Sequence, residues 1–405
     1  MRSIHIKNIG PIVDTGNIIL KQFNVIVGKQ STGKSTLMKI VCFCEWVEKR
    51  IMVKGDKTLY DFTHYSRFLK ELMQFHRISN SFFTSKSEIH YLGECVKIDL
   101  VGNKNVKIQR LPGFEERRHN TKISFIPSER NLVSAIKNVD RTYRSNDYDI
   151  LFNHVFEWGE AKECFTETNP IDIHVVHDMD YYYDQTTGDV LLLKDRKTKI
   201  SPFFASSGVQ SVLPIMVLME YLTNTIFDKS VDLSKIEISE VFKYLRLTDF
   251  IDEQKPLNVA LEQLAKVYKY SNTQIFIEEP EQNLFPESQQ SLIHLIASSI
   301  NRASLRTKVD STVTLTTHSP YVITALNILL KASISEQIDA EATYAVVNKN
   351  AIIALDKLSA YYIDSSGILK DIFDVENGMI GGLELDHASD VVENKLCALN
   401  DIIYG

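Results

Sequence analysis

Three stretches predict an α/β fold. In the first, Val25-Ile26-Val27 runs into Gly28-Lys29-Gln30-Ser31-Thr32-Gly33-Lys34-Ser35-Thr36, followed by an apolar helix from Leu37 to Val47. The second is Thr273-Gln274-Ile275-Phe276-Ile277, a buried strand that ends in Glu278-Glu279-Pro280-Glu281. The third is Val313 to Thr317, a strand with His318 at its end. Strands that alternate with helices and end in polar residues make a layered α/β core with its site along one edge.

The Gly-x-x-x-x-Gly-Lys-Ser spacing between strand and helix reads as a phosphate-binding P-loop. Glycines let the backbone bend, so that consecutive N–H groups and the helix N-terminus converge on one anion. Residues 28–36 would cradle the phosphates, with Lys34 reaching the β and γ groups and Ser35 ligating Mg²⁺. Glu278 and Glu279 then read as the acids of a nucleotide hydrolase. Glu278 sits near the metal, and Glu279 polarises the attacking water. His318 is placed to sense the γ-phosphate or hold that water.

The remaining elements follow in order. Ile4–Ile9, Ile18–Leu20 and Phe23–Val27 read as short strands separated by Gly10-Pro11 and Asp14-Thr15-Gly16. Residues 54–80 are mixed and aromatic, a helical pattern, and 88–110 alternates around Gly93 and Gly102-Asn103 as a meander. Lys122–Ile126 is a strand ending at Pro127-Ser128-Glu129-Arg130, with a helix expected from Asn131. Ile171, Ile173 and Val175 alternate as in a half-buried strand, which favours structure over a metal reading for His174 and His177. Thr186-Thr187-Gly188-Asp189 and Val190–Leu193 complete a hairpin. Ser206-Ser207-Gly208-Val209-Gln210 then caps an apolar helix, and Pro286 opens another, running to Ile300. Beyond His318 the pattern predicts strands at Thr343–Val347 and Ala351–Leu355 and a terminal helix from His387 to Ile403.

Composition sets bounds. The 405 residues are 44% hydrophobic and 24% charged, a globular balance sufficient for one large core or two ordinary ones. Five scattered cysteines form no disulfide or zinc pattern, which fits a reducing compartment. Residues 1–7 alternate like a strand and lack a signal-peptide core, and no run reaches membrane-spanning length. A cytoplasmic protein with no membrane partner is the expectation. The net charge of −7 belongs to the tail, where 13 acidic residues face 5 basic ones from Lys331 onward. Nucleic acid therefore stays open as a partner. Arg110, Arg117, Arg118 and Lys122, and Lys194, Arg196, Lys197 and Lys199, form two basic patches, with solvated loops the favoured reading.

The order Gly28–Ser35, Ser206–Gln210, Ile275–Glu279, Asn283–Pro286 and Thr317–Pro320 resembles the ABC-type ATPase heads of the SMC, RecF and OLD-like superfamily. The wording of Phe276–Glu281 and Ser206–Gln210 is most similar to stand-alone AAA/OLD-like ATPases of prokaryotic defence systems. The resemblance implies a P-loop NTPase with a mixed β-sheet core plus helical lobe, binding ATP and Mg²⁺. It implies that Ser206, Ser207, Gly208 and Gln210 form a signature loop contacting the γ-phosphate held by the opposite subunit. Two ATP molecules would then be sandwiched in a homodimer. The Q-loop glutamine has no clear match, and Gln109 and the Ser128–Arg130 loop both stand for it. Thr36 and Ser207 lie 171 positions apart without sustained heptads, so no long coiled coil is expected. The 87 residues after His318 are too few for the nuclease domain of OLD enzymes.

The implied organisation is an N-terminal part of the ATPase core with the P-loop (1–130) and a helical lobe with hairpin and signature loop (131–270). A C-terminal part of the core carries the acids and His318 (271–355), and an acidic appendage follows (356–405). The implied function is an ATP-hydrolysing dimeric switch, the sensor or scaffold of an anti-phage system acting through a separate effector, a nuclease or toxin. A RecF-like repair ATPase that clamps DNA is the alternative. A small-molecule kinase would leave the signature loop and His318 unexplained.

Overall fold

The computed structural model describes residues 1–64, 66–137, 139, 148–194, 197–228 and 269–382. The strand Phe23–Gly28 carries the logic of its core. Phe23, Val25 and Val27 pack into one apolar cluster and Ile26 into another. Period-two alternation has therefore buried both faces.

The first antiparallel sheet contains β1 (Arg2–Ile9), β2 (Ile12–Asp14), β3 (Ile18–Leu20), β5 (Phe83–Leu92), β6 (Val96–Val101) and β7 (Asn105–Arg110). The central sheet contains β4 (Phe23–Gly28), β8 (Asn120–Ile126), β13 (Tyr270–Glu278), β14 (Thr312–Thr317), β15 (Leu358–Ile363) and β16 (Leu369–Asp371). Its order is β16-β15-β4-β14-β13-β8, with every pair parallel except β15 with β16. A third, four-stranded antiparallel sheet holds β9 (Ile171–Ile173), β10 (Met179–Asp184), β11 (Gly188–Leu193) and β12 (Thr198–Ile200).

The P-loop helix, Lys34–Lys54, belongs to the cluster shared by one face of the central sheet and the first antiparallel sheet. Two of its carboxylates fasten it there. Glu45 Oε1 accepts from Arg2 Nη1 at 2.9 Å, and Glu48 accepts from Tyr91 Oη and from Cys95 N–H, both at 2.6 Å. The opposite face packs helices Ser207–Thr223, Pro286–Thr307 and Pro320–Ile338.

Several expectations are corrected. Thr343–Val347 falls in the helix Ala340–Val346, because Asp339 caps it by accepting from Ala342 N–H at 3.0 Å. Ala351–Leu355 is not a strand. The strand is Leu358–Ile363, which pairs in parallel with β4, so this part of the chain lies inside the core sheet. The strand at Ile171 stops at Ile173, and the helix after Asn131 is one turn, Leu132–Ala135. The expected terminal helix lies outside the described residues. Among the described residues no helix is long and apolar enough to cross a membrane.

Candidate functional site

Three adjacent parallel strands bring the predicted groups to one edge. Strand β14 lies between β4 and β13, with Thr317 opposite Val27 and Glu278 opposite Thr316. The P-loop, the Glu278-Glu279 pair and His318 thus leave the sheet side by side at its carboxyl edge. Open α/β sheets bind ligands at this edge.

The P-loop backbone explains its glycines. Gly33 sits at φ +109°, and a Cβ there would stand 3.0–3.1 Å from Ile12 and Pro11. A Cβ on Gly28 would meet the Ile363 carbonyl at 2.5 Å. Ser31 adopts φ +63°, and Thr32 Oγ1 donates to Lys29 O at 2.9 Å. Lys29, Gln30, Ser31 and Ser35 are exposed, while Thr36 is half-buried. The helix opens without an acidic residue in its first turn, leaving its N–H groups and dipole to an anion. The Lys34 ammonium donates to Gly28 O at 2.8 Å and Lys29 O at 2.7 Å. Burial lowers its pKa, and the carboxylates of Glu279 and Glu281 oppose that shift.

Glu278 is buried, with Oε2 accepting from Ser128 N–H at 3.2 Å and Oε1 buried without a hydrogen-bond partner. A serine hydroxyl at a helix start and an orphaned carboxylate oxygen are donors that suit a hard cation such as Mg²⁺. Ser35 and Glu278 would hold it, and it would supply charge neutralisation at the phosphates.

Glu279 has φ +44° immediately before a proline, two backbone demands that oppose each other. Its N–H donates to Thr316 O at 3.0 Å, which fixes the turn. His318 Nδ1 stands 3.7 Å from Glu279 Oε1 and 3.4 Å from Glu281 Oε1. Interaction with Glu279 raises the His318 pKa, and His318 in return lowers that of Glu279. Glu281 Oε1 also accepts from Thr317 Oγ1 at 2.7 Å and His318 N–H at 3.0 Å. Glu281 therefore orients the His318 turn, a role that its place in the sequence did not reveal.

The Ser206–Gln210 loop is built as a helix start. Ser206 Oγ accepts from Val209 N–H at 3.5 Å, and Ser206 and Ser207 are exposed at the tip of an apolar helix. Gly208 is buried where a Cβ would stand 3.0 Å from Asn283 O. Gln210 Nε2 donates to Pro202 O and Phe203 O, both at 3.1 Å, so its amide stabilises its own loop. The hydrogen-bond partners of this loop lie in its own approach and not in the P-loop of the same chain.

Arg130 joins the two halves. Its guanidinium is fully buried and donates to Glu278 O at 2.8 Å, Glu279 O at 2.8 Å and, from Nε, Ser211 O at 3.0 Å. Burial pulls its pKa down to about 10 against the attraction of Glu281, Glu279 and Glu278. One side chain thus ties the helix Ser207–Thr223 to the Glu279 turn. Of the two Q-loop stand-ins, Gln109 is exposed on the edge strand β7, whereas the Ser128–Arg130 loop touches the acid pair.

Strand order, acid pair and capped helix decide the architecture. The fold is mixed α/β, with the site on the carboxyl ends of three parallel strands. Among solved structures the chain is similar to the SMC head domain from Thermotoga maritima, with 10% identity over 91% of this chain and 97% of that one and a TM-score of 0.38. An SMC head bound to the C-terminal winged-helix domain of ScpA is 11% identical, over 93% of this chain and 99% of that one, with a TM-score of 0.38. The recombination mediator RecF, with 10% identity over 91% and 97%, has a TM-score of 0.28. No protein-family model and no curated protein matches the sequence.

Proposed function

We propose that this chain binds and hydrolyses ATP and that two copies close head to tail around two nucleotides. The observation that carries this reading is the convergence of P-loop, acid pair and histidine on three neighbouring strand ends. The P-loop amides and Lys34 hold the phosphates. Glu279, ionised and facing His318, accepts the proton of the attacking water while His318 orients it. The exposed Ser206-Ser207 tip is free to meet a nucleotide on a second copy.

The resemblance to defence-system ATPases supports an output delivered through a separate effector. Clamping of DNA by the two basic patches has less support. Lys122 is paired with buried Glu157 at 2.8 Å, Lys194 with Asp172 and Asp178 at 3.0 Å each, and Lys199 with Glu167 at 2.6 Å. Arg118 donates to Met52 O at 2.7 Å and Glu115 Oε2 at 3.1 Å.

Glu279→Gln tests the reading. This variant keeps the phosphate cradle and loses the base, so phosphate release should fall about 10²-fold or more. Light scattering with ATP and Mg²⁺ should then show it doubling in mass. Hydrolysis at the wild-type rate would place the base elsewhere, and a monomer saturated with ATP would remove the sandwich.

A further inference from the structure

On the far part of the P-loop helix, a cavity of about 430 Å³ opens between that helix, helix Arg67–His76, β8 and helix Ile150–Lys162. Its volume is in the range of small-molecule sites. Lys49 and Lys34 are fifteen residues apart on one helix, so roughly 22 Å separates this cavity from the P-loop. It is a different place from the site above.

Trp46, Phe75, Tyr148 and Tyr270 line the cavity together with Lys49 and Arg50. The Arg50 guanidinium lies over the Trp46 ring at 4.9 Å, and its Nε is buried without a hydrogen-bond partner. Lys49 Nζ lies over the Tyr270 ring at 5.3 Å and makes no ion pair among the described residues. Buried His76 adds a second orphan, its Nδ1. The other charges are already satisfied. Lys122 pairs with Glu157, whose second oxygen accepts from Ser124 Oγ at 2.6 Å, and Glu71 pairs with Arg67. Two cations and an imidazole nitrogen, with no hydrogen-bond or ion-pair partner for Lys49 Nζ, Arg50 Nε and His76 Nδ1 among the described residues, thus border an aromatic cavity. Buried polar atoms in folded proteins are ordinarily paired, so this set calls for a ligand.

We propose that the cavity is a second ligand site, taking a small anion that carries one aromatic ring system. The ring lies among Trp46, Phe75 and Tyr270, where stacking suits a flat π-system. The phosphate or carboxylate takes Lys49 and Arg50, since charge-assisted hydrogen bonds to an anion are the strong ones. Burial and the neighbouring Lys122 pull the Lys49 pKa down to about 7, with Arg50 and Lys54 acting in the same sense and Glu157 opposing. An arriving anion reverses that shift and restores the ammonium charge.

The two tryptophans make the test direct. Trp46 lines the cavity, and Trp158 is fully buried in the other apolar cluster. Tryptophan emission is followed in the full chain while phenyl phosphate or AMP is titrated in, with the P-loop saturated by a non-hydrolysable ATP analogue. A saturable change with either probe supports the site. Phenyl phosphate alone marks an aromatic acid as the source, AMP alone a mononucleotide. Lys49→Met and Arg50→Met, each with unchanged circular dichroism, should weaken binding about tenfold. No saturation at millimolar probe overturns the proposal, as do wild-type titrations in both variants or an equal response to inorganic phosphate. A chain that fails to hold the ATP analogue yet titrates with phenyl phosphate keeps this site and loses the P-loop reading.

Discussion

Arg130 concentrates the chemistry of the site at the scale of one residue. Its three shortest bonds to carbonyls reach β13, the Glu279 turn and the helix Ser207–Thr223, segments far apart in sequence. Glu279 needs such an anchor, because a left-handed residue before a proline does not hold its conformation unaided. Arg130→Met should cost about 3 kcal/mol in urea unfolding, since it strands buried carbonyl acceptors. Arg130→Lys keeps a cation but not the fork, so it should fold with a smaller loss and still hydrolyse ATP about tenfold more slowly. Wild-type turnover in a folded Arg130→Lys chain would mean that Glu279 is aimed without it.

At the scale of elements, the helices carry buried ionisable groups whose titration is felt by the whole fold. His76 ends helix Arg67–His76, and His154 lies within helix Ile150–Lys162. Burial pushes their pKa values down to about 3 and about 4. The unfolded chain takes up these protons below about pH 6.5, and the folded chain only near the depressed values. Their contribution to stability is therefore complete above that pH and is lost as pH falls toward the folded values. Each histidine should steepen acid destabilisation by about 1.4 kcal/mol per pH unit in that window. Phe43, Phe75 and Phe125 surround the His76 ring, so His76→Phe fits the space and should remove one proton from the slope. Urea midpoints from pH 7 to pH 4.5 measure it, and an unchanged slope would mean that His76 does not titrate on unfolding.

The molecule as a whole exposes the groups on which the proposed two-copy site depends. Ser206 and Ser207 face solvent at a helix tip, and Phe203, Phe204 and Phe285 are exposed. Closure onto a second copy would cover them. If the signature loop acts in trans, Lys34→Ala and Ser207→Arg chains should be inactive separately and active when mixed. In the mixed dimer both lesions share one composite site and leave the other intact. Equal mixing should restore roughly a quarter of the wild-type sites, because half of randomly paired dimers are mixed. Steady-state phosphate release across mixing ratios reads this out. No recovery at any ratio, with mixed dimers confirmed by mass, would contradict the trans arrangement.

The legible parts of this protein were those written over a few neighbouring residues. Gly28 to Lys34 spells its loop because φ and N–H direction are local demands, and Ser206 announces a helix because a cap bonds only three residues ahead. The strand ends carrying Glu278 and His318 were readable for the same reason. What local pattern leaves open is which strands become neighbours and which polar side chains the packing encloses. Leu358–Ile363 read as part of a tail and proved to be the neighbour of the P-loop strand, a pairing across more than 300 residues that periodicity does not encode. Arg130, in a stretch that read as a polar loop, is fully buried because the helix Ser207–Thr223 closes over the end of β13. Glu281 became the acceptor for Thr317 and His318 only when β14 inserted between β4 and β13. The sequence by itself determined the backbone of the loop and the strand ends that carry the acids. The tertiary structure decided what holds them in place, because those contacts join segments that no local signal connects.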